Sequence, residues 1–159
     1  MTYVDSDGVL ADFNGWIKKV NPSALKHHSL IHPTMIEHCD ECFLVFETMP
    51  GSDFFFEKIK TTEDWKVLSA VPSREKLEPF VKGRTVEEVI SIFKENKYRW
   101  YEKHGVSRDK VIIVEGGLQK LSYCKPGDVL YDDFIKNIKA WEAKGGIGHL
   151  VKITAEDGG

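Results

Sequence analysis

Five short apolar runs punctuate this chain: Thr2–Asp5, Lys66–Ser69, Val111–Val114, Asp128–Tyr131 and Ile147–Val151. Segments with helical period separate the last four. Strands that alternate with helices pair in parallel, so the pattern restricts the fold to the α/β class. Right-handed crossovers then put helices on both faces of the sheet. The expectation is a Rossmann-like parallel sheet flanked by helices. In such sheets ligands bind outside the carboxyl ends of the strands. Asp5, Ser69 and the pair Asp132-Asp133 all fall at expected strand ends, which makes them the first candidates for a site.

Asp5 and Asp7 lie one residue apart and are followed by Gly8. Had the strand continued, both would share a face. Gly8 instead suggests a turn that bends the backbone around them. Two carboxylates so placed repel unless a cation, a proton or a phosphoryl group lies between them. Taken alone, Asp-x-Asp-Gly fits a calcium loop or an ordinary turn as well as a catalytic pair.

The whole chain narrows the function classes. Its 159 residues suffice for one well-buried core plus a modest insertion. A formal net charge of -3 argues against binding nucleic acid through bulk positive charge, though a small nucleotide needs only a few local cations. No apolar run approaches ~18 residues, which excludes a transmembrane helix. The chemistry begins at Asp5 and leaves no room for a signal peptide, so a cytoplasmic location is expected. Three cysteines, Cys39, Cys42 and Cys124, have no framework spacing and predict no disulfides. Cys39-Asp-Glu-Cys42 has His38 beside it and His27, His28 and His32 nearby, but a single C-x-x-C is a weak zinc signal.

One helix announces itself. Thr85-Val-Glu-Glu88 is a capping box, and the apolar stripe Val86, Val89, Ile90, Phe93, Trp100 follows at near-helical period. Lys97 falls on that stripe, where a lysine ordinarily snorkels to the surface and otherwise reaches an anion beside the sheet. A second helix is expected from Ile135 to Lys144, ending at Gly145-Gly146. About 60 residues separate the first two strands, far more than a crossover needs. The expected division is a core of residues 1–13 and 64–159 and a small, mostly helical cap of residues 14–63. Within the cap, Phe54-Phe55-Phe56 cannot all face one core from one helix or strand, so at least one ring is expected to point elsewhere.

In chain order the strand-end residues are Asp5-x-Asp7, Ser69, Lys120 after the third strand, and Asp132-Asp133. This order resembles the four motifs of the haloacid dehalogenase (HAD) superfamily: DxD, Ser or Thr, Lys, and an acidic motif. Asp5-x-Asp-Gly-Val-Leu-Ala-Asp-Phe13, Phe54-Phe-Phe-Glu57, Lys97-Tyr-Arg-Trp100 and the segment from Asp132 to Gly146 resemble its 5′(3′)-deoxyribonucleotidase family, in bacterial and phage-type form. The chain departs at Ser69-Ala70-Val71-Pro72, where Ala70 lacks a hydroxyl that some members offer the phosphate.

The resemblance implies a magnesium-dependent phosphoric monoester hydrolase acting on deoxyribonucleoside monophosphates through an aspartyl-phosphate. By it, Asp5 is the nucleophile, Asp7 the proton carrier and a backbone-carbonyl ligand of the metal, Ser69 a donor to the phosphoryl oxygens, and Lys120 the balancing charge. Asp133 is favoured as the metal ligand, with Asp132 in support. Lys125 rivals Lys120, but it abuts the turn Pro126-Gly127. Phe13 and Phe55 are candidates for stacking on the base, with Lys97, Ala70 and Arg74 as further substrate-binding candidates. The partner implied is a small-molecule nucleotide, without nucleic-acid polymer or membrane, and a homodimer is left open. Two other readings stand beside it: a HAD phosphatase for another small ester such as a sugar phosphate, and a catalytically silent binding module.

Overall fold

The computed structural model describes residues 1–152. The last seven residues of the expected core, 153–159, lie outside the described residues. Strands β1 (Thr2–Val4), β2 (Trp65–Val71), β3 (Val111–Glu115), β4 (Val129–Asp132) and β5 (Ile147–Leu150) form one sheet in the order β3-β2-β1-β4-β5. Every neighbouring pair is parallel. The order reverses between β1 and β4, and such a switch point opens a crevice at the carboxyl ends of those two strands. The chain is thus an α/β protein with a helix-flanked parallel sheet. Among the described residues no helix is long and apolar enough to cross a membrane.

Side-chain alternation along the strands divides the interior into two clusters. Val4, Val67, Val71 and Val111 face one side, while Tyr3, Leu68, Val114 and Leu130 face the other. The second face is covered by α6 (Ile135–Ala143), whose Trp141 packs edge-on against Tyr3 at 5.6 Å and donates its indole N–H to the Asp128 carbonyl at 2.9 Å.

The first face receives most of the chain. Three helices lie between β1 and β2: α1 (Phe13–Val20), α2 (Ile31–Glu37) and α3 (Asp53–Thr61). Asp12 caps α1 by accepting the Gly15 amide at 2.9 Å. Two helices follow β2, the short α4 (Arg74–Leu77) and the long α5 (Val86–Lys103). Both hydrogen bonds of the Thr85/Glu88 capping box are present at the start of α5. Residues of the segment between β1 and β2, such as Met35, Cys42, Phe43 and Phe46, share one hydrophobic cluster with Val4 and Val67 of the sheet. That segment is therefore packed into the main core rather than around a core of its own.

The buried stripe of α5 is wider than its apolar residues alone. Asn96, Lys97 and Tyr101 are buried with Val89, Phe93 and Trp100. Lys97 is 2% exposed, so the expected route to the surface is not taken. The stem lies along the helix face that meets the sheet, and its ammonium finds polar partners there instead.

Candidate active site

Asp5 follows directly on β1, the central strand, and its amide still bonds the Tyr131 carbonyl of β4 at 2.8 Å. The chain then turns sharply. The amides of Val9, Leu10 and Ala11 all point at the Ser6 carbonyl, and Gly8 sits at φ 85. A side chain there would be strained, and there is no room for one. A Cβ on Gly8 would lie 2.0 Å from Asp133 Oδ2. The turn thus brings the backbone after Asp7 into contact with the carboxylate that follows β4.

Asp5, Asp132 and Asp133 converge from the two strands that flank the switch point, and one ligand atom from each lies within 4.8 Å of the others. Lys120 enters from the helical segment Gly117–Tyr123 after β3. Its Nζ donates to Asp5 Oδ1 at 2.6 Å and to Asp132 Oδ2 at 3.2 Å, and the ammonium is buried. Burial alone would lower the Lys120 pKa, but Asp5 and Asp132 reverse that and hold it above its ordinary value. Burial raises the Asp5 carboxyl well above the usual range, and the charges of Asp132 and Asp133 add to this, while Lys120 opposes it. One lysine does not balance three carboxylates. The group therefore carries excess negative charge, which a hard divalent cation with oxygen ligands would neutralise.

The adjacent carboxylates differ in what they have left to offer. Asp132 is fully buried and already accepts from Lys120, from the Phe134 amide at 2.9 Å and from Asn137 Nδ2 at 3.0 Å. Asp133, just beyond the carboxyl end of β4, is more exposed, stands against Gly8 and lines the cavity described below. Burial of its carboxyl group and the charge of Asp132 push the Asp133 pKa up to about 6.

Asp7 stands on the other side of the turn. Its Oδ2 accepts from Lys97 Nζ at 3.0 Å, and the same ammonium donates to Ser69 Oγ at 2.8 Å. Ser69 lies between Leu68 and Ala70, which face the second cluster, so it projects toward α5. Asp7 Oδ1 is the one buried side-chain polar atom without a partner among the described residues.

A cavity of about 870 Å³ opens beside this group. Asp7, Asp12, Asp133, Lys18 and Lys152 line it, and Phe13, Leu25, Met49, Phe134 and Leu150 supply apolar walls. The volume and the mix of apolar walls with a few polar groups suit a small-molecule ligand.

The structure brings together Asp5, Asp7, Ser69, Lys97, Lys120, Asp132 and Asp133, and it puts Phe13 in the cavity wall. It separates three other candidates from them. Phe55 packs edge-on against Tyr131 at 5.1 Å and is absent from the cavity wall, because α3 lays that ring on the sheet. Its neighbours diverge, Phe56 toward Trp100 and His104 and Phe54 to 54% exposure. Ala70 turns its methyl to the opposite face from Ser69, as strand alternation requires, so only its backbone remains on offer at the strand end. Arg74 opens α4 at the surface and pairs with Glu87 rather than with anything in the site. Lys125 is exposed at the turn before β4, away from the group that Lys120 enters. Cys39 and Cys42 are buried thiols, and the acidic group above is where metal-ligating side chains cluster among the described residues.

Two functional features escaped the sequence. Asp12 helps line the cavity while capping α1, and Phe43 sets its ring 4.1 Å from the Lys97 ammonium. The Ser/Thr/Asp/Asn rule for helix starts would have found the first. A scan of this chain against protein-family models found no match, and neither did a search of curated protein sequences.

Proposed function

We propose that this chain is a magnesium-dependent phosphatase of small phosphate monoesters, with deoxyribonucleoside monophosphates as substrates and an aspartyl-phosphate intermediate. The observation that carries the reading is the buried Asp5–Lys120–Asp132 group at the switch point, closed by Asp133 and faced by Asp7 across a single turn. The HAD-type arrangement of core and cap, and membership of the deoxyribonucleotidase family, belong to the same proposal. They rest on the order and spacing of these residues.

In this reading an Asp5 oxygen attacks phosphorus, and the bond from phosphorus to the nucleoside oxygen breaks. A proton carried by Asp7 passes to that oxygen as it leaves. Asp7, now ionised, then takes a proton from the water that attacks the aspartyl-phosphate, which releases inorganic phosphate and restores Asp5. Ser69 donates its hydroxyl to the phosphoryl oxygens, and Lys120 keeps Asp5 and Asp132 in place and offsets negative charge. Asp5, Asp133 and the Asp7 backbone carbonyl would hold magnesium, with Asp132 as the support that its existing hydrogen bonds make it. Bound magnesium would supply neutralisation of the phosphate and of the carboxylates around it.

Phe13 and the apolar wall favour a substrate with a flat base over a plain sugar phosphate. Stacking on such a ring is worth roughly 1–3 kcal/mol per base. The test is phosphate release from panels of deoxynucleotides, ribonucleotides and sugar phosphates, with and without magnesium, for the native chain and Asp5→Asn. Magnesium-dependent release from deoxynucleotides, lost in Asp5→Asn, is expected. Equal rates on sugar phosphates would overturn the nucleotide assignment, and retained turnover in Asp5→Asn would overturn the covalent route. No release from any panel would leave a binding module.

A further inference from the structure

Phe43 has φ 71, the one left-handed non-glycine residue among those described. A bulky side chain there costs about 1–2 kcal/mol, and such strain persists only where the surroundings enforce it. The enforcement comes from α5. Asn96 Nδ2 donates to the carbonyls of Cys39 at 3.2 Å, Asp40 at 3.3 Å and Cys42 at 3.1 Å, while Trp100 Nε1 donates to the Phe46 carbonyl at 2.8 Å. Residues 39–46 are thus tied on both sides of Phe43. The strained residue between the ties is a phenylalanine whose ring lies against an ammonium, with Nζ 4.1 Å from the ring centroid.

That ammonium, Lys97, is buried and bonded to Asp7 Oδ2 and Ser69 Oγ. Of the two Asp7 oxygens, Oδ1 is sealed from solvent and has no partner. The oxygen left to meet the cavity is Oδ2, the one that Lys97 holds. A free ammonium on a four-carbon stem has many rotamers. The Phe43 ring on one side and Ser69 on the other confine it.

We infer that Lys97, confined by the Phe43 ring, is a positioning residue that fixes the Asp7 carboxyl group at the cavity for proton transfer to the leaving oxygen. This rests on the phosphatase reading above. It adds that the segment between β1 and β2 supplies part of the proton-transfer apparatus through Phe43, besides packing on the sheet.

A positioning role for the proton carrier has a signature that general packing lacks. An alkoxide leaving group needs a proton as its bond to phosphorus breaks, whereas the p-nitrophenolate of p-nitrophenyl phosphate leaves without one. Lys97→Met is expected to lower kcat/KM, which reports formation of the aspartyl-phosphate and not its hydrolysis, by about 100-fold or more on a deoxynucleotide, the scale of general acid catalysis. Its loss on p-nitrophenyl phosphate is expected to stay under about tenfold on the same scale. Phe43→Leu keeps an apolar side chain but removes the ring face, and is expected to show the same discrimination at about five- to thirtyfold. This variant serves if Lys97→Met does not fold. Thermal denaturation of each variant accompanies the kinetics. Equal losses of kcat/KM on the two substrates in whichever variants fold would overturn the positioning role and leave the phosphatase reading standing. A native chain that turns over neither substrate would overturn that reading, and this inference with it.

Discussion

Gly8→Ala tests the link between the two halves of the site, because two separate costs can be told apart. The first is backbone strain. At φ 85 an alanine costs about 1–2 kcal/mol, or roughly 2–8 °C in Tm for a chain of this size. The second is steric. The new Cβ would lie 2.0 Å from Asp133 Oδ2 and 2.7 Å from its Cγ, so the Asp133 carboxylate must move away. Gly127 provides the control, with φ 84 and nothing within 4 Å of its would-be Cβ. Gly127→Ala should therefore show the loss of stability alone. Gly8→Ala should show a similar loss and, in addition, weaken magnesium binding by at least about tenfold, the lower end of what disturbing a metal site costs. Calorimetric titration of magnesium into both variants, with thermal denaturation of each, makes the comparison. Magnesium bound equally well by the two would refute the argument that Asp133 is a ligand placed by its contact with Gly8.

Further expectations concern charge and fold. Asp133, with its pKa pushed up to about 6, and Asp5, also raised, hold protons in the folded chain at pH values where unfolded carboxyls have lost them. The sign follows: the metal-free protein should lose stability as pH rises from about 4 to about 6, and magnesium affinity should rise over the same window. A magnesium affinity that is flat between pH 5 and 7 in calorimetry would contradict this. Lys120→Met removes the shared cation, leaves Asp5 and Asp132 unbalanced, and should destabilise the metal-free protein by about 3–5 kcal/mol at neutral pH, less in acid. Denaturant melts with and without magnesium check it, since magnesium should recover part of the loss. Thr85→Ala removes one side of the capping box and should cost about 1 kcal/mol with turnover unchanged, which thermal melts and kinetics would read together.

What the sequence revealed and what it hid have one physical division. Strand runs, the capping box and the strand-end carboxylates are written in local periodicity and local turn chemistry. Lys120 could be preferred over Lys125 because Pro126-Gly127 marks the turn into β4, and the Gly127 backbone has the left-handed angle such a turn needs. What local rules do not decide is long-range. Of the two places the sequence leaves open for Lys97, the surface and an anion beside the sheet, the structure takes the second, and the partners that decide it lie 90 and 28 residues away. The sequence does not reveal Tyr131 beside Phe55, whereas Arg74 stands at an exposed helix start, the ordinary place for it, paired with Glu87. Strand alternation already puts the Ala70 side chain opposite Ser69, which leaves its backbone alone for the strand end. No local rule would have placed Phe43 in the left-handed region.

One face of α5 accounts for how the site is held as a unit. Phe93, Asn96, Lys97, Trp100 and Tyr101 follow the three- and four-residue steps of a helix face. Through them a single rigid element reaches three separate pieces of chain. Tyr101 donates to Ser6 Oγ at 2.5 Å in the turn after β1, Lys97 to Ser69 on β2, and Asn96 and Trp100 to residues 39–46. Swinging residues 39–46 away from the sheet would break buried hydrogen bonds on both sides of Phe43, and each buried polar group left unpaired costs about 1–3 kcal/mol. A domain-like opening there is thus expensive, and it would also take the Phe43 ring away from the Lys97 ammonium. The cavity lies elsewhere, between α1 and the residues that follow β4 and β5. A small molecule can enter and leave by that side while the face of α5 stays closed.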